Sequence, residues 1–261
     1  MLKCFGAVVN FYAKKHWNSE LPVELRATKK DVVLAVKSFL QNQETTKNGI
    51  FIRLVGQSGT GKTTQLLPAA RDYCAKNNLK PVIIAAREFA KMHPHYEEIL
   101  RKYGKAEIRR RTDDFATMVM FLVLDEITRN RMDFILDLSF VSTKVEWMFL
   151  KMARRYRERL FLMMAVPVNK NLELLGKREW RHTEELEKEF LQATKTSLEY
   201  YGRKDAGRII MWGFDSLQPI YDGRFQGSVR VFEREMKREK FDEGVDVDSL
   251  RENKRQYLIK K

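Results

Sequence analysis

The run GQSGTGKTT begins at Gly56, directly after the apolar stretch IFIRLV, and it constrains this chain more than any other feature. Gly56, Gly61, Lys62 and Thr63 satisfy the spacing G-x-x-x-x-G-K-[ST], with a buried strand expected before the run and a helix after it. The spacing has a mechanical reason. Small residues let consecutive backbone N–H groups curl around a phosphate, and the helix N-terminus adds its partial positive charge. The expected nucleotide-binding residues are therefore Gly56, Gln57, Ser58, Gly59, Thr60, Gly61, Lys62, Thr63 and Thr64. Lys62 would reach the β- and γ-phosphates, and the Thr63 hydroxyl would ligate Mg²⁺. The expected cofactors are ATP, or GTP, together with Mg²⁺.

A loop of this kind needs a second acidic residue at the end of a neighbouring strand. Two sites compete for it. FLVLDE ends at Asp125-Glu126, and FILD ends at Asp137. The two apolar runs stand too close together for both to be parallel strands, since a parallel crossover takes a dozen residues or more. The stretch DDFATMVMFLVLDEITRN (113–130) is long for a strand, and it has acidic residues at its start and arginines at its end, as a helix prefers. Reading it as a helix makes FILD the next strand and Asp137 the metal-side carboxylate. Asp113 and Asp114 then most simply cap that helix, with a substitute base as the alternative.

Elsewhere, KKDVVLAVKSFLQNQ places Val32, Val33, Val36, Phe39 and Leu40 on one helical face. Pro68 falls inside the helix after the glycine loop, where it should bend it or mark an irregular end. KPVIIAAR (80–87), RLFLMMAV (159–166) and RIIMWGF (208–214) read as core strands, and HPHYEEILRKYGK as a helix entered through Pro94. Strands alternating with helical segments imply an α/β fold, P-loop NTPase- or kinase-like, with a mostly parallel central sheet, helices on both faces and helical N- and C-terminal additions. The expected segments are a helical extension over 1–48, the core over 49–215, and a charged, helical extension over 216–261 that is loosely docked from Phe225 on.

The net charge of +14 invites anionic partners, nucleic acid among them, although the charges are interleaved as on solvated helix faces. Two cysteines without ligand spacing argue against a disulfide framework and suit a cytoplasmic protein. No apolar run approaches the roughly 20 residues needed to cross a bilayer, and the N-terminus does not read as a signal peptide.

Several pieces then fall into a known order. FAKMHPHYEEILRKYGK resembles the F-x-x-x-H-P-x-[YF] segment of the zeta toxin family, which are small P-loop kinases of bacterial toxin–antitoxin systems. ILDLSFVST resembles that family's strand ending in E-G-T-x-R, and LMMAVPVNKNLELLGKREW resembles its M-A-V-P strand and L-G-x-x-E-R lid. The resemblance runs from about Ile50 to Arg181. It implies phosphoryl transfer from ATP to a hydroxyl of a nucleotide sugar, UDP-N-acetylglucosamine, and a protein antitoxin as partner. On this basis Lys62, Asp137, Arg178 and Arg181 are the candidate catalytic residues, with Thr63 and Asp137 holding Mg²⁺. Arg87, Glu88, His93 and Ser139 are the candidate acceptor-binding residues, with Ser139 standing where the family has the Thr of E-G-T.

The departures bear on the acceptor. The family's aspartate, two to four residues before its Phe, is replaced here by Ala85, Ala86 and Arg87, and the Arg of E-G-T-x-R by Val141. Arg87 at that place favours an anionic acceptor, or else a protein that binds ATP without transferring phosphate. His93 and His95 lack a carboxylate at ligand spacing, so packing at the helix entry competes with any ligand role. A different class stays open as well: a nucleotide-dependent ATPase or switch on nucleic acid or protein, using Asp125-Glu126. A helix over 113–130 would support the kinase reading, and a strand there the ATPase.

Overall fold

The computed structural model describes residues 21–41, 43–56, 60–138, 143–167, 170–171, 191–196, 198–199, 207–223, 227–240, 244 and 246–260. Along the chain come α1 (Lys29–Gln41), β1 (Ile50–Val55), α2 (Leu67–Lys76), β2 (Val82–Ala85), α3 (Ala86–Ala90) and α4 (Tyr96–Arg129). Then follow β3 (Phe134–Asp137), α5 (Thr143–Ala153), β4 (Glu158–Ala165), β5 (Arg208–Gly213), β6 (Tyr221–Gly223), α6 (Ser228–Met236) and α7 (Val247–Lys260). The six strands form one sheet in the order β2-β3-β1-β4-β5-β6. β1 pairs in parallel with both β3 and β4, β4 pairs in parallel with β5, and β6 closes the edge antiparallel to β5. This is the mostly parallel α/β architecture expected of the sequence.

The chain divides into two units, Met1–Glu44 with Ile84–Arg131, and Thr45–Ile83 with Met132–Lys261. In the first, α1 buries Val32 and Ala35 and brings Phe39 to 5.0 Å from Phe89. Val33, expected on the buried face, is instead exposed with its neighbour Leu34. Residues 113–130 are helical, so Asp125-Glu126 ends no strand; Asp125 pairs with Arg129 one turn on. The helix is longer than the sequence implies. α4 runs from Tyr96 to Arg129 through a single break at Gly104, where φ is 80° and ψ 173°. Asp113 and Asp114 therefore lie mid-helix and cap nothing. The interleaved charges before them, read as a solvated helix face, are helical, and helix propagation adds one backbone bond per residue through them.

In the second unit the central strand β1 is buried along its whole length, as a parallel strand covered on both faces should be. Ile50, Ile52 and Leu54 pack with Leu66, Ala69 and Ala70 beneath α2. On the other face Phe51 lies 4.7 Å from Phe134 and meets Phe161 edge-on at 6.0 Å. Asp133 fixes the start of this arrangement. Its carboxylate accepts the backbone N–H groups of Asn48, Gly49 and Ile50 at 3.0, 2.8 and 2.8 Å, latching the entry of β1 to that of β3. Arg53 breaks the apolar run, yet it is only 2% exposed. Its Nη1 donates to the carbonyl of Leu54 at 3.0 Å, and its guanidinium stands 5.4 Å from the centre of the Phe149 ring.

The charged C-terminal segment is not loosely docked. Leu250, Lys254 and Leu258 recur every four residues and are all buried, a stripe that packs α7 beside α2. Arg255 pairs with Asp72 and Lys76 donates to the Ile259 carbonyl, while Tyr257 meets Trp212 edge-on at 6.1 Å. A lysine in the middle of the stripe hides its amphipathic period from a sequence reading.

Candidate functional site

β1 ends at Val55 and delivers the chain to Gly56, the first residue of the glycine loop. Gly61 closes the loop with φ +87°, a left-handed conformation, and a Cβ there would come within 2.9 Å of Gln65 Nε2. The angle is what favours glycine, since the flexible Gln65 side chain can move aside. Residues Lys62–Leu66 then wind as a π-helical turn before α2 begins at Leu67 with Pro68 near its start. The irregularity that Pro68 announces therefore lies ahead of it, inside the loop helix. Insertions of this kind recur at functional sites.

Lys62 is 4% exposed at the head of this turn, and Thr60 is buried beside it. Thr63 Oγ1 donates to Asp137 Oδ2 at 2.8 Å. Asp137 is the last residue of β3, in register with Leu54 of β1, and is 7% exposed. Parallel pairing thus carries a hydroxyl and a carboxylate from residues 74 apart in sequence to one point at the C-terminal edge of the sheet, where α/β proteins bind ligands. Two hard oxygen donors fit Mg²⁺, which takes one or two carboxylates and completes its shell with water and substrate phosphates. No cluster of three or more His, Cys, Asp or Glu occurs among the described residues.

The other named residues are distributed differently. Arg87 and Glu88, in the first unit, pair with each other at 3.2 Å on the exposed side of α3, and Lys91 also pairs with Glu88. His93 is buried, its ring edge-on to Phe115 at 4.9 Å, and its Nδ1 accepts the His95 N–H at 3.2 Å. Burial pulls its pKa down to about 4, so it is neutral at pH 7. Phe89 and His93 together pin the turn into α4. Gln57, Ser58, Gly59, Ser139, Arg178 and Arg181 lie outside the described residues.

One contact at the loop escaped the sequence reading. Arg251 of α7 donates from Nε to the carbonyl of Thr64 at 2.9 Å. The one signal for it is Pro68, four residues after Thr64, which cannot supply a helical N–H to that carbonyl.

Comparison with known proteins agrees with this fold. Toxin PezT of Streptococcus pneumoniae serotype 4 (strain ATCC BAA-334 / TIGR4) is 30% identical over 102 residues, a match that covers 39% of this chain and 38% of that protein. A solved structure from a study of the PezAT chromosomal toxin–antitoxin system of the human pathogen Streptococcus pneumoniae superposes with a TM-score of 0.63 at 19% identity. It covers 91% of this chain and 99% of that one, and supports the fold. The family model for Zeta toxin matches residues 32–204, more than half of the chain. The chain belongs to the zeta toxin family.

Proposed function

We propose that this chain is a phosphotransferase that moves the γ-phosphate of ATP, or of GTP, to a hydroxyl of a small anionic acceptor such as a nucleotide sugar. The observation that carries the reading is the 2.8 Å contact between Thr63 Oγ1 and Asp137 Oδ2, at the mouth of a glycine loop and within a family of kinases. Gly56, Gln57, Ser58, Gly59, Thr60, Gly61 and Thr64 would cradle the phosphates with backbone N–H groups, and Lys62 would neutralise the β- and γ-oxygens. Thr63 and Asp137 would hold Mg²⁺, which when bound offsets the charge of the β- and γ-phosphates. Arg178 and Arg181 would close over the transferred group. Arg87, Glu88 and Ser139 would bind the acceptor, Arg87 through its charge, and His93 would contribute only by holding the turn that follows α3.

The protein's contribution to such a reaction is positioning and charge neutralisation around a loose transition state. General-base help is worth about 10²–10⁴ in rate, so transfer can proceed without the family's aspartate. A protein antitoxin, of the kind named with PezT, is the proposed partner.

A second reading keeps ATP binding without transfer. It is favoured by one observation: β2 ends in Ala85, and Arg87 just beyond it is paired with Glu88. Transfer of label from γ-labelled ATP in Mg²⁺ tests both readings, with nucleotide sugars, nucleosides and short RNA as acceptors. A labelled acceptor is expected, with Lys62→Ala reducing transfer by about 10²-fold or more and Asp137→Asn removing its response to Mg²⁺. Tight ATP binding with no labelled acceptor would favour the second reading, and label released only as free phosphate would exclude transfer.

A further inference from the structure

In an α-helix the carbonyl of Thr64 accepts the N–H of residue 68. Residue 68 is proline and has none. The loop helix winds as a π turn over Lys62–Leu66, with the Leu67 N–H donating to the Lys62 carbonyl, and regular helix resumes at Leu67. Arg251 brings a donor to the carbonyl that Pro68 cannot serve in α-helical register, Nε to O at 2.9 Å. The guanidinium is itself steadied by Asp248 on the first turn of α7, Nη1 to Oδ1 at 3.0 Å. Its side chain is 43% exposed, so the contact is not an incidental product of core packing.

We propose that Arg251 is a positioning residue for the nucleotide site, standing in for the N–H that Pro68 lacks and so holding the turn that presents Lys62 and Thr63. The inference rests on the nucleotide reading above. Lys62 and Thr63 are the first two residues of that turn. Without that support the turn is free to shift Thr63 relative to Asp137, and a shift of about 1 Å at such a site is worth about 10²-fold in rate. Arg255 provides the contrast. It joins α7 to α2 through Asp72, further from the loop, and touches no loop residue among its described contacts.

The test is Mg²⁺-dependent ATP binding to the full chain, by calorimetry, with and without Mg²⁺. Arg251→Ala should weaken MgATP about tenfold and shrink the gain in affinity that Mg²⁺ confers, since it disturbs the threonine that would ligate the metal. Arg255→Ala should stay within about twofold of the unaltered chain. Pro68→Ala restores the missing N–H, so the double variant Pro68→Ala/Arg251→Ala should bind MgATP within about threefold of Pro68→Ala alone. That rescue reads the missing donor even if Arg251→Ala proves poorly folded. The inference is overturned if Arg251→Ala binds like the unaltered chain, if Arg255→Ala loses as much, or if the double variant is no better than Arg251→Ala. An unaltered chain that binds neither MgATP nor MgGTP overturns the nucleotide reading itself, and the inference with it.

Discussion

Lys254 sits fully buried on α7, its Nζ donating to the Leu250 carbonyl at 3.4 Å, and burial pulls its pKa down to about 8. Below pH 8 both folded and unfolded chains hold the proton, and the folded state bears the full desolvation penalty. Between pH 8 and the usual lysine value near 10.4 the unfolded chain binds more protons, so this residue's contribution to stability rises with pH. Cys74, pushed up to about 12 by burial, works the opposite way above its ordinary value, and Tyr257, also raised to about 12, does so above pH 10. The difference between the unaltered chain and Lys254→Met isolates the lysine. Urea denaturation should find Lys254→Met more stable at pH 7 by at most about 3 kcal/mol, with the gap closing toward pH 10.5. A gap independent of pH would show that the ammonium finds compensation in the folded chain. Asp133 and Arg53 are buried charged groups too, and each finds backbone partners: three N–H groups in one case and the Leu54 carbonyl in the other.

Among the elements, α4 invites a direct test at Gly104. Its φ of 80° and ψ of 173° belong to a region that residues with a side chain rarely occupy, while nothing lies within 4 Å of where a Cβ would be. The cost of Gly104→Ala is therefore conformational and not steric. It should lower stability by about 1–3 kcal/mol in chemical denaturation, and an unchanged midpoint would mean that the helix straightens through the break without loss. Strands β1 to β5 were legible in the sequence because buried parallel strands are continuous apolar runs bounded by polar turns, whereas the short antiparallel edge strand β6 is no such run. Asp137 followed from the minimum length of a parallel crossover. What stayed hidden was long-range satisfaction of polar groups. The Asp133 latch and the Arg251 donor join residues far apart in sequence, and a buried lysine disguised the stripe that docks α7. Of the candidate site, motif and connection rules assigned Thr63 and Asp137 to one expected metal, while their direct contact is visible only in the structure, and the packing role open to His93 from the sequence gained its partner, Phe115.

At the scale of the whole molecule, the excess of 14 positive charges is spread over a chain in which many arginines and lysines already hold carboxylates. Association with short RNA, measured by filter binding, should weaken steeply with added salt, because displaced counterions dominate such binding. A flat salt response would remove charge as its cause. The contact between Arg251 and Thr64 has a consequence in time as well as in space. It joins residues 187 positions apart, and ribosomes add about 5–20 residues per second. A nascent chain therefore carries its glycine loop for roughly 10–40 s before the arginine that serves the Thr64 carbonyl has been made. Until then the loop lacks that support, so a half-made chain is not yet the kinase that the finished one is proposed to be.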